Sequence, residues 1–126
     1  MSTAQMTTME IANILIELCR QGQNHEAMKQ LYSDEIVSIE ASAPPGQSRE
    51  SRGLEGAMAK GQWWADNHIV HSASIGGPWP HGDRFIVTYH YDVTFKPENK
   101  RFVMEEAALY TIRDGKIVHE EFFYAM

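Results

Sequence analysis

Apolar positions along this chain follow first a helical and then an alternating period, and the change between them organises the sequence. From Met9 to Leu18, the residues Met9, Ile11, Ala12, Ile14, Leu15 and Leu18 form the stripe of an amphipathic helix. Thr7 or Thr8 is placed to cap its first turn, Glu10 lies near its positive end, and Gly22 supplies its stop. Asn24 opens a shorter helix carrying Ala27, Met28, Leu31 and Tyr32, closed by Ser33-Asp34. Glu35 to Ala41 reads as a strand with Ile36, Val37 and Ile39 as its apolar members. Residues 42–53, with two prolines and two glycines, read as a surface loop. A third helix, Leu54 to His68, carries Leu54, Met58, Trp63 and Trp64, and Gly61 weakens it locally.

Beyond that point alternation takes over. Ile69 to Ile75 is a strand, residues 76–83 a loop, and Arg84 to Phe95 alternates without interruption. Residues 97–100 make a turn, Phe102 to Arg113 a second long strand, Asp114-Gly115 a tight hairpin, and Lys116 to Tyr124 the last strand. Three helices followed by an antiparallel meander predict one α+β domain over residues 1–126. Its curved antiparallel sheet has the three N-terminal helices on one face, enclosing a cone-shaped cavity suited to a small molecule.

Register decides which side chains enter the cone. A two-residue hairpin at Asp114-Gly115 pairs Ile112 with Ile117, Tyr110 with His119 and Ala108 with Glu121. Placing Phe95 opposite Phe102 sets Tyr91 across from Glu106 and Tyr89 across from Ala108. The inner face then carries Tyr89, Tyr91, Met104, Glu106, Tyr110, His119, Glu121 and Phe123, while His90, Asp92, Glu105, Glu120, Phe122 and Tyr124 lie outside. In the doublets Glu105-Glu106 and Glu120-Glu121, alternation puts one carboxylate on each face whichever register holds.

On this register Glu106 and Glu121 are diagonal neighbours, roughly 5–8 Å apart at Cβ. Two carboxylates crowded on an aromatic wall raise each other's proton affinity, and desolvation acts the same way. Such a pair divides into an ionised base and a protonated acid, as enolisation, dehydration or ring closure requires. The expected catalytic set is Glu106 as base, Glu121 as partner acid, and Tyr91 as donor to the oxygen that gains charge. Tyr89, Tyr110, Met104, Phe123, Trp63 and His119 are the expected substrate contacts, with core packing as the alternative for the tyrosines and a surface place for His119. Of the two adjacent tryptophans, one packs inside and the other borders the mouth or a subunit seam.

Composition narrows the partners. The 126 residues are 43% hydrophobic and 22% charged, with a formal charge of −6, a balance unsuited to nucleic acid or an anionic membrane. One cysteine, Cys19, placed on the polar side of the first helix, forbids an internal disulfide and suits a reducing, cytoplasmic setting. No apolar run approaches the roughly 20 residues of a membrane span, and the first residues lack a basic-then-apolar leader. His68 and His71 straddle a helix-to-strand junction without a carboxylate or thiolate partner, so no metal is expected. Gly76, Gly77 and Gly82 open no helix, so no phosphate-bearing cofactor is expected either.

The stretches GLEGAMAKGQWWADNH (53–68), HGDRFIVTYHYDVT (81–94) and ALYTIRDGKIVHEEFFY (108–124) resemble the SnoaL-like branch of the nuclear-transport-factor-2-like superfamily. That superfamily also includes ketosteroid isomerases, scytalone dehydratase and limonene epoxide hydrolase. The resemblance runs from Thr8 onward and implies an α+β cone, a homodimer through the outer sheet face, and a pocket for a small, mostly apolar molecule. The polyketide cyclases that name the branch use a buried acid, and Glu106, Glu121 and Asp92 all compete for that place here. Three readings stand at this level: a cofactor-free isomerase, cyclase or dehydratase; a non-catalytic binder of a small apolar molecule; or an accessory dimerisation domain.

Overall fold

A computed structural model describes residues 5–125, so the outer limits of the expected domain, 1 and 126, lie outside the described residues. Helix α1 (Thr8–Arg20) opens with a capping box: the Thr7 hydroxyl accepts from the Glu10 N–H, and the Glu10 carboxylate accepts from the Thr7 N–H. Its stripe Ile11, Ala12, Leu15 and Ile16 is buried. Cys19 sits one turn beyond Leu15 and continues that stripe at 6% exposure, which corrects its expected place on the polar side. Helix α2 (Asn24–Leu31) passes straight into strand β1 (Tyr32–Ile39), and Tyr32 is already extended at φ −84°, ψ 141°. The expected Ser33-Asp34 closure is therefore absorbed into the strand.

A short strand, β2 (Glu50–Arg52), lies within the expected loop and pairs antiparallel with β1. Helix α3 (Leu54–Asn67) leads into β3 (His68–His81), which continues through the expected loop. Pro78 is tolerated there because β3 is an edge strand, and the register shifts between Gly76 and Trp79. At Gly77 (φ +106°) a Cβ would meet the Ile86 carbonyl oxygen at 3.0 Å, so this position needs glycine. Strands β4 (Arg84–Phe95), β5 (Lys100–Arg113) and β6 (Lys116–Phe123) complete the sheet.

The six strands run in the order β2-β1-β6-β5-β4-β3. All neighbours are antiparallel except β1 and β6, which are parallel, so the sheet is mixed and not wholly antiparallel. On β4, Phe85, Val87, Tyr89, Tyr91 and Val93 are buried while the residues between them are half-buried or exposed. Burial of each such large side chain contributes about 1.5–3 kcal/mol. Helix α1 crosses β3 and β4, whereas α3 lies over β1 and β2, and the space between the helices and the sheet is the cone. Among the described residues, no helix is long and apolar enough to cross a membrane.

Candidate active site

The β4–β5 turn is shorter than the sequence register requires, four residues (96–99) in place of six (96–101). A 3-10 turn at Lys96–Glu98, followed by Asn99 in the left-handed region (φ 48°), places Phe95 opposite Lys100. This moves every pair by two residues: Tyr89, not Tyr91, lies across from Glu106, and Tyr91 lies across from Met104. A shift of two preserves faces, so Tyr89, Tyr91, Met104, Glu106 and Tyr110 all remain inside.

On β6 the displacement is by one residue, and it inverts the strand. Ile112 pairs with Ile117 as expected, but a bulge skips Val118, and Thr111 then pairs with His119, Tyr110 with Glu120, Leu109 with Glu121, and Ala107 with Phe123. Glu120 is consequently inside at 1% exposure. Glu121 and His119 face outward with Leu109 and Thr111, so the geometry that would pair Glu121 with Glu106 is absent. Phe123 is outside at 49% exposure, and Phe122, expected on the outer face, packs against the core.

Glu120 is the centre of a polar network inside the cone. The Tyr32 hydroxyl donates to its Oε1 (2.5 Å) and the Ser38 hydroxyl to its Oε2 (3.1 Å). The Lys60 ammonium, reaching down from α3, donates to Ser38 Oγ (2.5 Å) and to Glu40 Oε2 (2.7 Å). Tyr124, also expected outside, donates to Glu40 Oε1 (3.1 Å). Lys60 Nζ also stands 5.2 Å above the centre of the Phe122 ring. Burial raises the proton affinity of Glu120, and its bonds from Tyr32 and Ser38 and the charge of Lys60 oppose that rise.

Sequence reasoning missed Tyr32, Ser38, Glu40 and Lys60. A signal was present: Ile36 and Ser38 on β1, with Glu40 just beyond its end, continue one alternating face, and a serine and a glutamate in step with a buried isoleucine mark a polar patch inside. Lys60 carries no such mark, because its stem crosses apolar surface before its charge reaches the acids.

Glu106 lies beside this network and outside it. It is half-buried, and among the described residues its carboxyl takes part in no hydrogen bond and no ion pair. Desolvation pushes its pKa up to about 7, the charges of Glu40 and Glu120 add to the rise, and Lys60 opposes it. Below it the cone is filled: Tyr89 and Tyr110 join hydroxyls at 2.6 Å, and Phe85 stacks on Tyr110 with 5.0 Å between ring centres. Phe122 pairs with Ala108, two residues along the inner face of β5 from Glu106, and Lys60 stands over its ring, so the half-buried Glu106 and Lys60 share one stretch of the inner face.

The aromatic rim separates the two tryptophans. Trp64 turns inward, stacked on His68 at 4.3 Å and 5.5 Å from Tyr91, while Trp63 is 57% exposed. Two depressions are formed among the described residues, one away from Glu106 and one that Glu106 lines. One, of about 690 Å³, lies beside the start of α3 at Asp34, Arg52, Gly53, Leu54, Glu55 and Met58. The other, of about 380 Å³, is lined by Thr88, Tyr89, His90, Glu105, Glu106, Ala107 and Phe123 on β4, β5 and β6. Among the described residues no group of three His, Cys, Asp or Glu side chains is disposed to hold a metal.

The profile of the SnoaL-like domain family matches residues 6–124. The chain belongs to the SnoaL-like family. A provisionally named SnoaL-like polyketide cyclase from Mesorhizobium loti, also labelled a carbohydrate phosphatase, shares 42% identity over 94% of this chain and 100% of its own, with a TM-score of 0.88. A second protein so named, from Jannaschia sp., is 15% identical over 98% of this chain and 88% of its own (TM-score 0.74). A protein with a ketosteroid isomerase-like fold from Catenulispora acidiphila, solved with trimethylamine, is 19% identical over 95% and 88% (TM-score 0.70). The last two likenesses concern the fold alone. No curated protein matches. Around the SnoaL-like cone, then, the sequence places the acids and the bulge on β6 selects which of them enter.

Proposed function

We propose that this SnoaL-like protein takes a small, mostly apolar carbonyl compound at the mouth of its cone and moves a proton on it without a cofactor, with Glu106 as the base. The observation that carries this reading is the Glu106 carboxyl itself, free of partners and with a pKa of about 7, so that near neutrality it both accepts and returns a proton. Met104, Phe122, Tyr91 and Trp64 supply the apolar walls. Glu40 and Glu120 take the pKa-setting role that the sequence assigned to Glu121.

The test is solvent deuterium exchange into the α-methylene positions of 2-tetralone, an enolisable apolar ketone, followed by proton NMR. Wild-type protein should exchange them faster than matched buffer, and Glu106→Gln should lose about 100-fold or more of that excess with its unfolding midpoint no lower than wild type. Exchange at the buffer rate overturns the catalytic reading. Saturable binding without exchange, unchanged in Glu106→Gln, would leave a binder.

The outer sheet face supports a second copy of this chain as partner. Ile86, Val103 and Phe123 are 40%, 57% and 49% exposed at separate points on one side of β4, β5 and β6, among Thr88, His90 and Glu105, a mixed surface that pairing would cover. Sedimentation should give a dimer for the wild type and a monomer for Phe123→Asp; a wild-type monomer at all concentrations contradicts this.

A further inference from the structure

Lys60 has more donors than partners. A lysine ammonium carries three N–H bonds, and here two are used, on Ser38 and on Glu40. The side chain is 31% exposed, so the remaining donor is at the mouth and not sealed beneath it. Among the described residues Glu106 and Lys60 form no ion pair, yet both adjoin Phe122, which lies under the ammonium and pairs with Ala108, two residues from Glu106 on the same face of β5. A second orphan adjoins this place. Ser51 pairs with Ser38 across β1 and β2, and its hydroxyl oxygen is buried without a partner. Ser51 also lies under Gly56, one turn before Lys60 on the same side of α3. The floor beneath the ammonium is the Phe122 ring, which suits a flat apolar ligand.

We propose that the free N–H of Lys60 is the docking point for a ligand oxygen that carries or gains negative charge. The site then receives flat enolisable ketones, and the phenols that mimic their enolates, in one orientation: oxygen on Lys60, acidic C–H toward Glu106. In the forward step the Glu106 carboxylate takes the α-proton, the C–H electron pair becomes the C=C bond, and the carbonyl π pair moves onto the oxygen held by Lys60. Return of a proton from Glu106 to carbon reverses each change, so no oxidant or further reactant is needed. The ammonium is positioned before the reaction by Ser38, itself fixed by Glu120, so it stabilises the new charge without reorganising. This inference rests on the base assignment above only for the direction of the C–H bond.

The probe is 2-naphthol, a planar phenol shaped like the enolate of 2-tetralone, with binding followed by fluorescence and ionisation of the bound form by absorbance. Wild-type protein should bind it and lower the pH at which it ionises relative to free 2-naphthol. Lys60→Met should weaken binding about tenfold or more and abolish that downward shift, whereas Lys60→Arg should retain both. A merely structural lysine would change affinity without moving the ionisation of the ligand. Glu106→Gln should bind 2-naphthol no less tightly than wild type. Equal ionisation of bound 2-naphthol in wild type and Lys60→Met, or no binding by wild type, overturns the inference. Lys60-dependent binding without 2-tetralone exchange sinks the base assignment alone.

Discussion

Glu106 and Glu120 are two glutamates inside one cone, and their surroundings assign them opposite work. Both lose water, and in both that loss raises the affinity for a proton. Glu120 is sealed at 1% exposure and receives hydrogen bonds from Tyr32 and Ser38, which ties β6 to β1. Glu106 is half-buried and, among the described residues, makes no hydrogen bond and no ion pair. Burial alone therefore does not mark an acid as functional. A carboxyl whose acceptors are taken is part of the frame, and one whose acceptors are free is available to a ligand.

The largest expected difference between the two is in stability. Glu120→Ala strands the Tyr32 and Ser38 hydroxyls in a closed interior and should cost about 3–5 kcal/mol in urea unfolding. Glu106→Ala removes no hydrogen bond and should cost less than about 1 kcal/mol at pH 6. Equal costs would erase the contrast.

A smaller effect concerns pH. The folded pKa of Glu106, about 7, lies above its ordinary value of 4.5, so the folded protein holds a proton that the unfolded chain has released between those values. Its contribution to stability is then present below about pH 4.5 and is lost as pH rises toward 7. Glu106→Gln should equal wild type near pH 4.5 and exceed it at pH 8 by on the order of 1–3 kcal/mol. A wild-type advantage at pH 8 would reverse the sign and refute the assignment.

The finest test exploits the neighbours. Glu40→Gln removes a charge that raises the Glu106 pKa, and Lys60→Met removes one that lowers it. The midpoint of 2-tetralone exchange against pH should therefore move down in the first variant and up in the second. Shifts in the same direction would place Glu106 outside the field of this network.

The contrast between β4 and β6 shows where a sequence is legible and where it stops being so. On β4, buried Phe85, Val87, Tyr89, Tyr91 and Val93 alternate with more exposed neighbours, so the inner face was readable even though the turn moved the pairing by two. Glu106 was placed inside for the same reason. On β6, Val118, His119, Glu120 and Glu121 offer no apolar step to fix the phase, and nothing local announces a bulge. That single skipped residue exchanged Glu121 for Glu120 and Phe123 for Phe122. The parallel pairing of β1 with β6 and the descent of Lys60 from α3 are long-range outcomes of packing, beyond the reach of local periodicity.

The most direct measurement is a carbon-13 NMR titration of glutamate side-chain carboxyls, comparing wild-type protein with Glu106→Gln. The carboxyl resonance that the substitution removes should titrate with a midpoint near 7. If the lost resonance instead titrates at about 4.5, Glu106 is an ordinary surface acid and the proposed base does not exist.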